Sequence, residues 1–350
     1  MTVMPLTPPA EPLLELELTK GFIPKQTYPC PWIETPLIES APLSKLAGCR
    51  IFLKMENFQP SGSFKSRGIG NLVRCAVERS SSTEPLHFYA SSGGNAGLGC
   101  VTAATTLKQK STVVVPTITK QAMIDRIISA GATQVIKYGN TIADADEYLR
   151  NSLLPDDSQG VYVPPFDHPD IWNGAESIMH EVHNELNTLP DGIICSVGGG
   201  GLLIGICQGL DRLSGTTSRT QVIGVETLGC ESFSQAIIAK EVVTLPGITS
   251  IATSLGCTRI AARALEYGLR ENVHSALVSD KEAVDACIRF AEDHKILVEP
   301  ACGATLALVY SGRLGQIMNL KPNDKIVLVV CGGSNISIDM MYKWKKEYNL

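Results

Sequence analysis

The sequence lacks the features that would suit it to nucleic acid or to a membrane. Its 350 residues include 30 Lys and Arg against 35 Asp and Glu, a net charge of −5. No basic block or basic–aromatic stripe occurs, which excludes the charge pattern of a nucleic-acid binder. No uninterrupted apolar run approaches the ~20 residues that span a bilayer. No arginine precedes Arg50 and no apolar leader follows the N-terminus, so we expect a cytoplasmic protein without a targeting peptide.

Cysteine is plentiful but is not spaced for disulfides or for a metal. The eleven cysteines are odd in number, scattered, and nowhere arranged as C-x-x-C. Most lie in apolar stretches, as Cys195 and Cys331 do, so we expect reduced and buried thiols. The segment His180-Glu181-Val182-His183 lacks the i, i+4 histidine pair of zinc proteases. We predict that it forms a solvated helix face.

Short apolar runs alternate with helical patterns from about residue 50 onward. A hydrophobic content of 44% over this length is enough for two lobes. The runs predicted as strands are residues 50–55, 87–90, 112–115, 134–138, 192–197, 222–226 and 326–330. The runs predicted as helices are residues 71–78, 96–107, 121–129, 143–153, 171–187, 281–294 and 301–312. This alternation predicts an α/β fold in which helices cover parallel sheets.

Three loops rich in small residues each follow a predicted strand and precede a predicted helix, where α/β sheets usually bind ligands. The first loop, residues 60–68, contains Lys65 among small residues and an aromatic. A lysine in a dry pocket can have a lowered pKa, and its amine can form a Schiff base with an aldehyde. A surface lysine beside a turn is the alternative, and this loop alone does not decide between them.

The other two loops are suited to anions. The second loop, residues 91–97, reads Ser-Ser-Gly-Gly-Asn-Ala-Gly and offers backbone N–H groups to a carboxylate or an aromatic oxygen. An unliganded helix N-cap explains it equally well. The third loop, residues 196–202, has four consecutive glycines, which suit a phosphate. It lacks both the acidic residue of the dinucleotide fingerprint and the Gly-Lys-Ser/Thr ending of a Walker loop.

Together the three loops resemble those of the fold-type II pyridoxal-phosphate enzymes, and specifically those of the serine and threonine dehydratases. The resemblance spans residues 35–337 and includes the strings at 59–65, 298–303 and 331–335. It implies a two-lobed, tryptophan synthase β-like architecture with the cofactor in the cleft. The large lobe would combine residues 1–58 and 167–350, and the small lobe would be residues 59–166. The resemblance also implies a homodimer.

The resemblance further implies elimination of water from L-serine or L-threonine, with release of ammonia and a 2-keto acid. Lys65 would carry the cofactor as a Schiff base and then remove the substrate α-proton. Phe64 would pack on the cofactor ring, Asn95 would bind its hydroxyl oxygen, and Cys331 would lie beside its nitrogen. The phosphate would be held by Gly198, Gly199, Gly200, Gly201 and Leu202, and the substrate by Ser92, Gly93, Asn95 and Ala96.

Two of these residues bear on the outcome of the reaction. A thiol at Cys331, unlike a carboxylate, would leave the pyridine ring nearly neutral, so that a short-lived carbanion expels its leaving group. Gly93 stands where related racemases place a serine and some close dehydratases an alanine. Racemisation is therefore disfavoured, and the choice between serine and threonine stays open. By the same resemblance, a monovalent cation such as K⁺ would be bound by Gly198, Glu226, Cys230, Ser232, Leu255 and Cys257.

Two alternatives to this function stay open. The same scaffold supports β-replacement or a specialised biosynthetic elimination, because changes in the loops redirect chemistry while the lysine is kept. A protein that retained the fold only to bind a small molecule is the second alternative. The intact Lys65 and the intact third loop argue against it.

Overall fold

The computed structural model describes residues 28–214 and 218–350, so part of the predicted large lobe, residues 1–27, lies outside the described residues. Two sheets occur in this part of the chain. Their strands are β1 (Leu37–Glu39), β2 (Arg50–Lys54), β3 (His87–Ala90), β4 (Lys110–Val115), β5 (Gln134–Lys137), β6 (Gly160–Tyr162), β7 (Gly192–Ser196), β8 (Gln221–Thr227), β9 (Val273–Val278) and β10 (Lys325–Val329). The larger sheet has the order β1-β2-β10-β7-β8-β9 and the smaller β5-β4-β3-β6.

Helices cover the two sheets. They are α1 (Ala41–Ala47), α2 (Lys65–Arg79), α3 (Asn95–Thr106), α4 (Gln121–Ser129), α5 (Ile142–Tyr148), α6 (Pro169–Leu186), α7 (Gly201–Ser214), α8 (Ser232–Ala239), α9 (Ala262–Gly268), α10 (Asp280–His294), α11 (Pro300–Tyr310), α12 (Leu314–Ile317) and α13 (Ile338–Glu347). Among the described residues, none of these helices has both the length and the apolar character needed to cross a membrane.

The strand pairings confirm the predicted α/β class. All are parallel except the pairing of β1 with β2. Every residue of β7 is buried, as expected of a central strand with helices on both faces. The smaller sheet lies within the segment predicted as the small lobe, and the larger sheet lies outside it. The lobe boundaries themselves stay a prediction.

The predicted strands and helices all overlap observed ones, but the reverse does not hold. The sequence did not predict β1 and β6, which have three residues each and are too short for a periodic signal. It also missed the edge strand β9. Helix α2 begins at Lys65, six positions before the predicted start, because burial of its first turns outweighs the low helix propensity of Gly68 and Gly70.

Helix α6 lies between the helices that follow the first and third loops. Glycines bring its backbone close to both neighbours. A Cβ on Gly174 of α6 would overlap the Arg67 carbonyl oxygen of α2, and a Cβ on Gly205 of α7 would lie 2.5 Å from the Ala175 Cβ. Only residues without a side chain permit such close approach. Helix α6 therefore sets the spacing between the Lys65 end of α2 and the glycine-loop end of α7.

Ionic side chains join β2, α2 and α6 inside the core. Arg67 is fully buried, and its guanidinium donates to the carboxylates of Glu56 at 2.7 Å and Glu181 at 2.5 Å. Lys54, also fully buried, pairs with Glu181 at 2.8 Å. The prediction of a solvated face at residues 180–183 is therefore wrong for Glu181. The helix turns this carboxylate inward because two buried cations need a counter-charge.

Replacement of Arg67 tests how much this buried network contributes to the stability of the fold. We expect Arg67→Ala to destabilise the protein by ~3–5 kcal/mol, because it leaves buried carboxylates without their partner. The control is Arg50→Ala, which removes a solvent-exposed pair with Glu39 and should shift the unfolding midpoint far less, because water screens such a pair. Urea unfolding of both variants measures the difference. Equal shifts in the unfolding midpoint would contradict a dominant role for the buried pair.

Candidate active site

All three loops lie at the carboxyl ends of strands, as the sequence predicted. Strand β3 leads through the second loop into α3, and β7 leads through the third loop into α7. The first loop follows β2 and a short helical turn, Glu56–Phe58. Lys65 is the first residue of α2 rather than part of the loop itself. One sheet therefore supplies the second loop, and the other supplies the first and third.

The Lys65 amine contacts the segment that joins β6 to α6. Its Nζ atom donates a 2.5 Å hydrogen bond to the Pro165 carbonyl oxygen. Part of the side chain reaches solvent, but desolvation of the amine lowers the pKa of Lys65 to about 8. The thiols of Cys257 and Cys331 oppose this shift. An amine with such a pKa is partly unprotonated near neutral pH, as a nucleophile toward an aldehyde must be.

The third loop wraps against the same joining segment. A Cβ on Gly199 would overlap the Phe166 ring, and a Cβ on Gly198 would lie 3.3 Å from the Leu255 Cα. Gly200 has a φ of +93°, which disfavours any residue with a side chain. Because residues 198–201 are all glycines, none of them has a side chain that could cap the first-turn N–H groups of α7. This arrangement forms a cradle suited to a phosphate.

The second loop is folded tightly against the start of α3. The Ser92 Oγ accepts a hydrogen bond from the Gly94 N–H at 3.3 Å, and a Cβ on Gly97 would overlap the Ser92 carbonyl oxygen. Gly94, the N-cap residue, has no side chain to offer the first-turn N–H groups. A Cβ on Gly93 would lie 3.1 Å from the Thr119 Cγ2, so the space beside this glycine is narrow. The loop is therefore both confined and suited to a carboxylate.

Asn95 begins α3 and is fixed at both ends of its amide. Its Oδ1 atom accepts from the N–H and the hydroxyl of Ser334, both at 2.9 Å, and its Nδ2 atom donates to Glu299 at 2.9 Å. Desolvation raises the pKa of Glu299, against hydrogen bonds from Ser254, Asn335 and Asn95. The sequence alone predicts no role for Glu299. Its only signal was the family-like string around it, because its partner lies about two hundred residues away.

Cys331 lies buried where the chain leaves β10. Its Sγ atom accepts from the Ser196 hydroxyl at 3.5 Å, and a hydrogen bond with Cys302 together with desolvation raises the pKa of its thiol. The Phe64 N–H donates to the Cys331 carbonyl oxygen at 3.2 Å, which ties this strand end to the residue before Lys65. The thiol therefore stays protonated near neutral pH and brings no negative charge to the site.

The residues predicted to bind a cation lie behind the third loop. Glu226 is buried and accepts two N–H groups from the start of α8, while desolvation raises the pKa of its carboxyl to about 8. The buried Ser232 Oγ has no hydrogen-bond partner in the described residues. Desolvation raises the pKa of the Cys257 thiol to about 11, and the nearby Cys230 thiol adds to this shift. Residues 28–214 and 218–350 contain no cluster of three or more His, Cys, Asp or Glu suited to a metal.

The fold and the three loops define a pyridoxal-phosphate enzyme: the chain matches the family described as "Pyridoxal-phosphate dependent enzyme" over residues 31–332, and it belongs to that family. A relative in Bos taurus, "L-serine dehydratase/L-threonine deaminase", is 43% identical over 91% of this chain and 96% of its own length. A "Catabolic L-serine/threonine dehydratase" of Saccharomyces cerevisiae is 40% identical over 87% of this chain and 88% of its own length. The crystal structure of a fungal L-serine ammonia-lyase from Rhizomucor miehei is similar, with a TM-score of 0.84 and 37% identity. The match covers 91% of this chain and 99% of that one.

The packing of the second loop can be tested at Gly97. We expect Gly97→Ala to destabilise the protein by about 1–3 kcal/mol through overpacking against the Ser92 carbonyl, which outweighs the higher helix propensity of alanine. The control is Gly94→Ala, whose Cβ would find its nearest neighbour, the Ser92 Oγ, at 3.8 Å. Thermal unfolding compares the two variants. A Gly97→Ala midpoint equal to that of Gly94→Ala would refute the close contact.

Proposed function

We propose that this chain eliminates water from L-serine or L-threonine, and that water then hydrolyses the unsaturated amine product, which releases ammonia and leaves pyruvate or 2-oxobutanoate. The observation that carries the proposal is the Lys65 amine, which has a pKa of about 8 and lies against Pro165 beside a glycine loop suited to phosphate. Relatives that match about nine tenths of the chain have names describing this reaction. Formation of keto acid from serine without an added nucleophile would separate it from β-replacement.

Pyridoxal phosphate fits the residues of the site. The third loop and Leu202 would hold the phosphate through the first-turn N–H groups of α7, aided by the helix dipole. Asn95 would meet the ring hydroxyl oxygen, Phe64 the ring face, and Cys331 the ring nitrogen. When bound, the cofactor supplies the electron sink for the charge that develops at the substrate α-carbon. A protonated Cys331 thiol places no carboxylate charge beside the ring nitrogen, which favours prompt loss of a leaving group.

Lys65 has two tasks in this proposal. Its Nζ atom would hold the cofactor covalently and, after displacement by substrate, accept the α-proton, which its lowered pKa allows near neutral pH. The start of α3, with Ser92, Gly93 and Ala96, would bind the substrate carboxylate and orient the α-hydrogen toward Nζ. Gly93 has no side-chain acid that could return a proton to the opposite face. Elimination is therefore favoured over racemisation.

Substitution of Lys65 tests the proposed reaction. Wild-type protein reconstituted with pyridoxal phosphate should show a visible absorbance band and produce keto acid from L-serine or L-threonine. Lys65→Ala should lose the band and reduce turnover by roughly 10³-fold or more, since it removes both covalent attachment and the base. The exposed Lys110→Ala is the control and should retain both properties.

Each other outcome has a defined meaning. A band without keto acid from either substrate would reject the dehydratase proposal in favour of β-replacement or another amino acid. Absence of a band in reconstituted wild-type protein would reject catalysis and favour the alternative of a binding protein.

A monovalent cation, with K⁺ as the candidate, fits the cluster behind the third loop. Glu226 is a buried carboxyl without a cationic partner in the described residues, and the Ser232 hydroxyl beside it has no partner there. A bound cation would compensate both. Hard oxygen ligands of this kind suit an alkali ion better than a transition metal. The proposed ligands are the side chains of Glu226 and Ser232 and the carbonyl oxygens of Gly198, Cys230, Leu255 and Cys257.

The cation proposal can be tested by thermal unfolding in KCl and in tetramethylammonium chloride at equal ionic strength. Wild-type protein should unfold at a higher temperature in KCl, because a ligand that binds only the folded state stabilises it. Glu226→Gln should lose this difference, whereas the exposed Glu241→Gln should keep it. Identical midpoints for wild-type protein in the two salts would contradict the assignment.

We further propose a cytoplasmic homodimer with two lobes, residues 1–58 joined with 167–350, and residues 59–166. The eleven cysteines are all free of disulfides, which supports a reducing compartment. The division into a six-stranded and a four-stranded sheet supports the lobes. Dimerisation rests on family resemblance.

A further inference from the structure

Glu299 is an unusual buried carboxyl. Only 2% of its surface is exposed, and no salt bridge reaches it from any Lys, Arg or His in the described residues. Two other buried carboxyls have such partners, since Glu56 pairs with Arg67 and Glu176 with Arg212, whereas Glu226 in the proposed cation site also lacks one. Burial of an unpaired carboxyl is costly unless hydrogen bonds satisfy it. Its hydrogen bonds should therefore explain its presence.

Both oxygens of Glu299 are used at the site. Oε1 accepts from the Asn95 Nδ2 at 2.9 Å, and Oε2 accepts from the Asn335 N–H at 3.1 Å. The loop after Cys331 is pressed against the same carboxyl, since a Cβ on Gly333 would overlap it. Glu299 thus links Asn95 to the loop after Cys331. Asn95 is expected at the cofactor hydroxyl, and Cys331 is expected at the ring nitrogen.

These contacts determine which way the Asn95 amide faces. A backbone N–H can only donate, so the Ser334 N–H requires the Oδ1 atom on its side. Glu299 then receives one hydrogen of the Nδ2 atom at 2.9 Å. The second Nδ2 hydrogen is left with only a long 3.4 Å contact to the Ser254 hydroxyl. That hydrogen is available to a better acceptor.

We propose that Glu299 is a positioning residue that holds the Asn95 amide with one N–H directed at the cofactor ring oxygen. This inference rests on the proposed function, because it presupposes pyridoxal phosphate at the site. Glu299 acts through Asn95 and need not touch substrate. A donor held at the ring oxygen stabilises negative charge there and strengthens cofactor binding.

The test is a double-mutant cycle on the reconstituted protein without substrate. Glu299→Met removes both acceptors at similar volume, and Glu299→Gln retains one carbonyl oxygen. Two properties are measured by titration with pyridoxal phosphate: the dissociation constant, and the ratio of the absorbance bands that report whether a proton lies on the ring oxygen or on the nitrogen joined to Lys65. Glu299→Met should weaken binding roughly tenfold and shift the ratio toward the protonated ring oxygen. Glu299→Gln should have a smaller effect in the same direction.

Coupling to Asn95 distinguishes positioning from general packing. If Glu299 acts through Asn95, the variant with Asn95→Ala and Glu299→Met should bind no more weakly than Asn95→Ala alone. The same cycle with Glu299→Gln serves if the methionine variant does not fold. The matched control is Glu176→Gln, a buried carboxyl on α6, which should leave the ratio and the affinity unchanged.

Three results would overturn the inference. Additive effects, or a wild-type band ratio in the Glu299 variants, would reduce Glu299 to a packing residue while the proposed function stands. Failure of wild-type protein to bind pyridoxal phosphate would overturn both proposals.

Discussion

The close packing of α6 between α2 and α7 is the constraint on which the site depends. One neighbour begins with Lys65 and the other begins at the glycine loop, so the thickness of the middle helix determines their separation. Glycines at the two contacts, Gly174 and Gly205, let the helix backbones approach more closely than any larger residue would allow. The segment leading into α6 then supplies Pro165 and Phe166, which contact the lysine amine and the glycine loop respectively. Helix α6 thus sets the distance between α2 and α7, and the segment that leads into it contacts both the lysine amine and the glycine loop.

Electrostatics in this core follow two patterns. Away from the site, buried charges are paired, as Arg67 is with Glu56 and Glu181. At the site, Lys65, Glu226 and Glu299 lie in desolvated positions without an opposite side-chain charge in the described residues. Unpaired burial shifts each pKa toward the neutral form. Such groups contribute little to stability, and the ligands proposed for them account for their presence.

Much of the fold and site could be predicted because the signals are local. Strand-then-helix periodicity, with glycines between, identifies the second and third loops within a few residues each. Glu299 could not be assigned a role in this way, because its partner Asn95 belongs to a different sheet-and-helix unit. The inward turn of Glu181 escaped prediction for the same reason, since its partners Lys54 and Arg67 come from more than a hundred positions earlier. The edge strand β9 mixes polar and apolar residues and shows no clear period.

The sequence by itself determined the α/β class, the family, and the chemical types present at each loop. These follow from short-range pattern and from residue identities, which need no three-dimensional information. Only the tertiary structure decided that the Lys65 amine is desolvated against Pro165, that the Asn95 amide is locked between Ser334 and Glu299, and that the Cys331 thiol stays protonated. Desolvation and hydrogen-bond direction depend on which atoms surround a group, and those atoms come from segments brought together only when the sheets and helices pack.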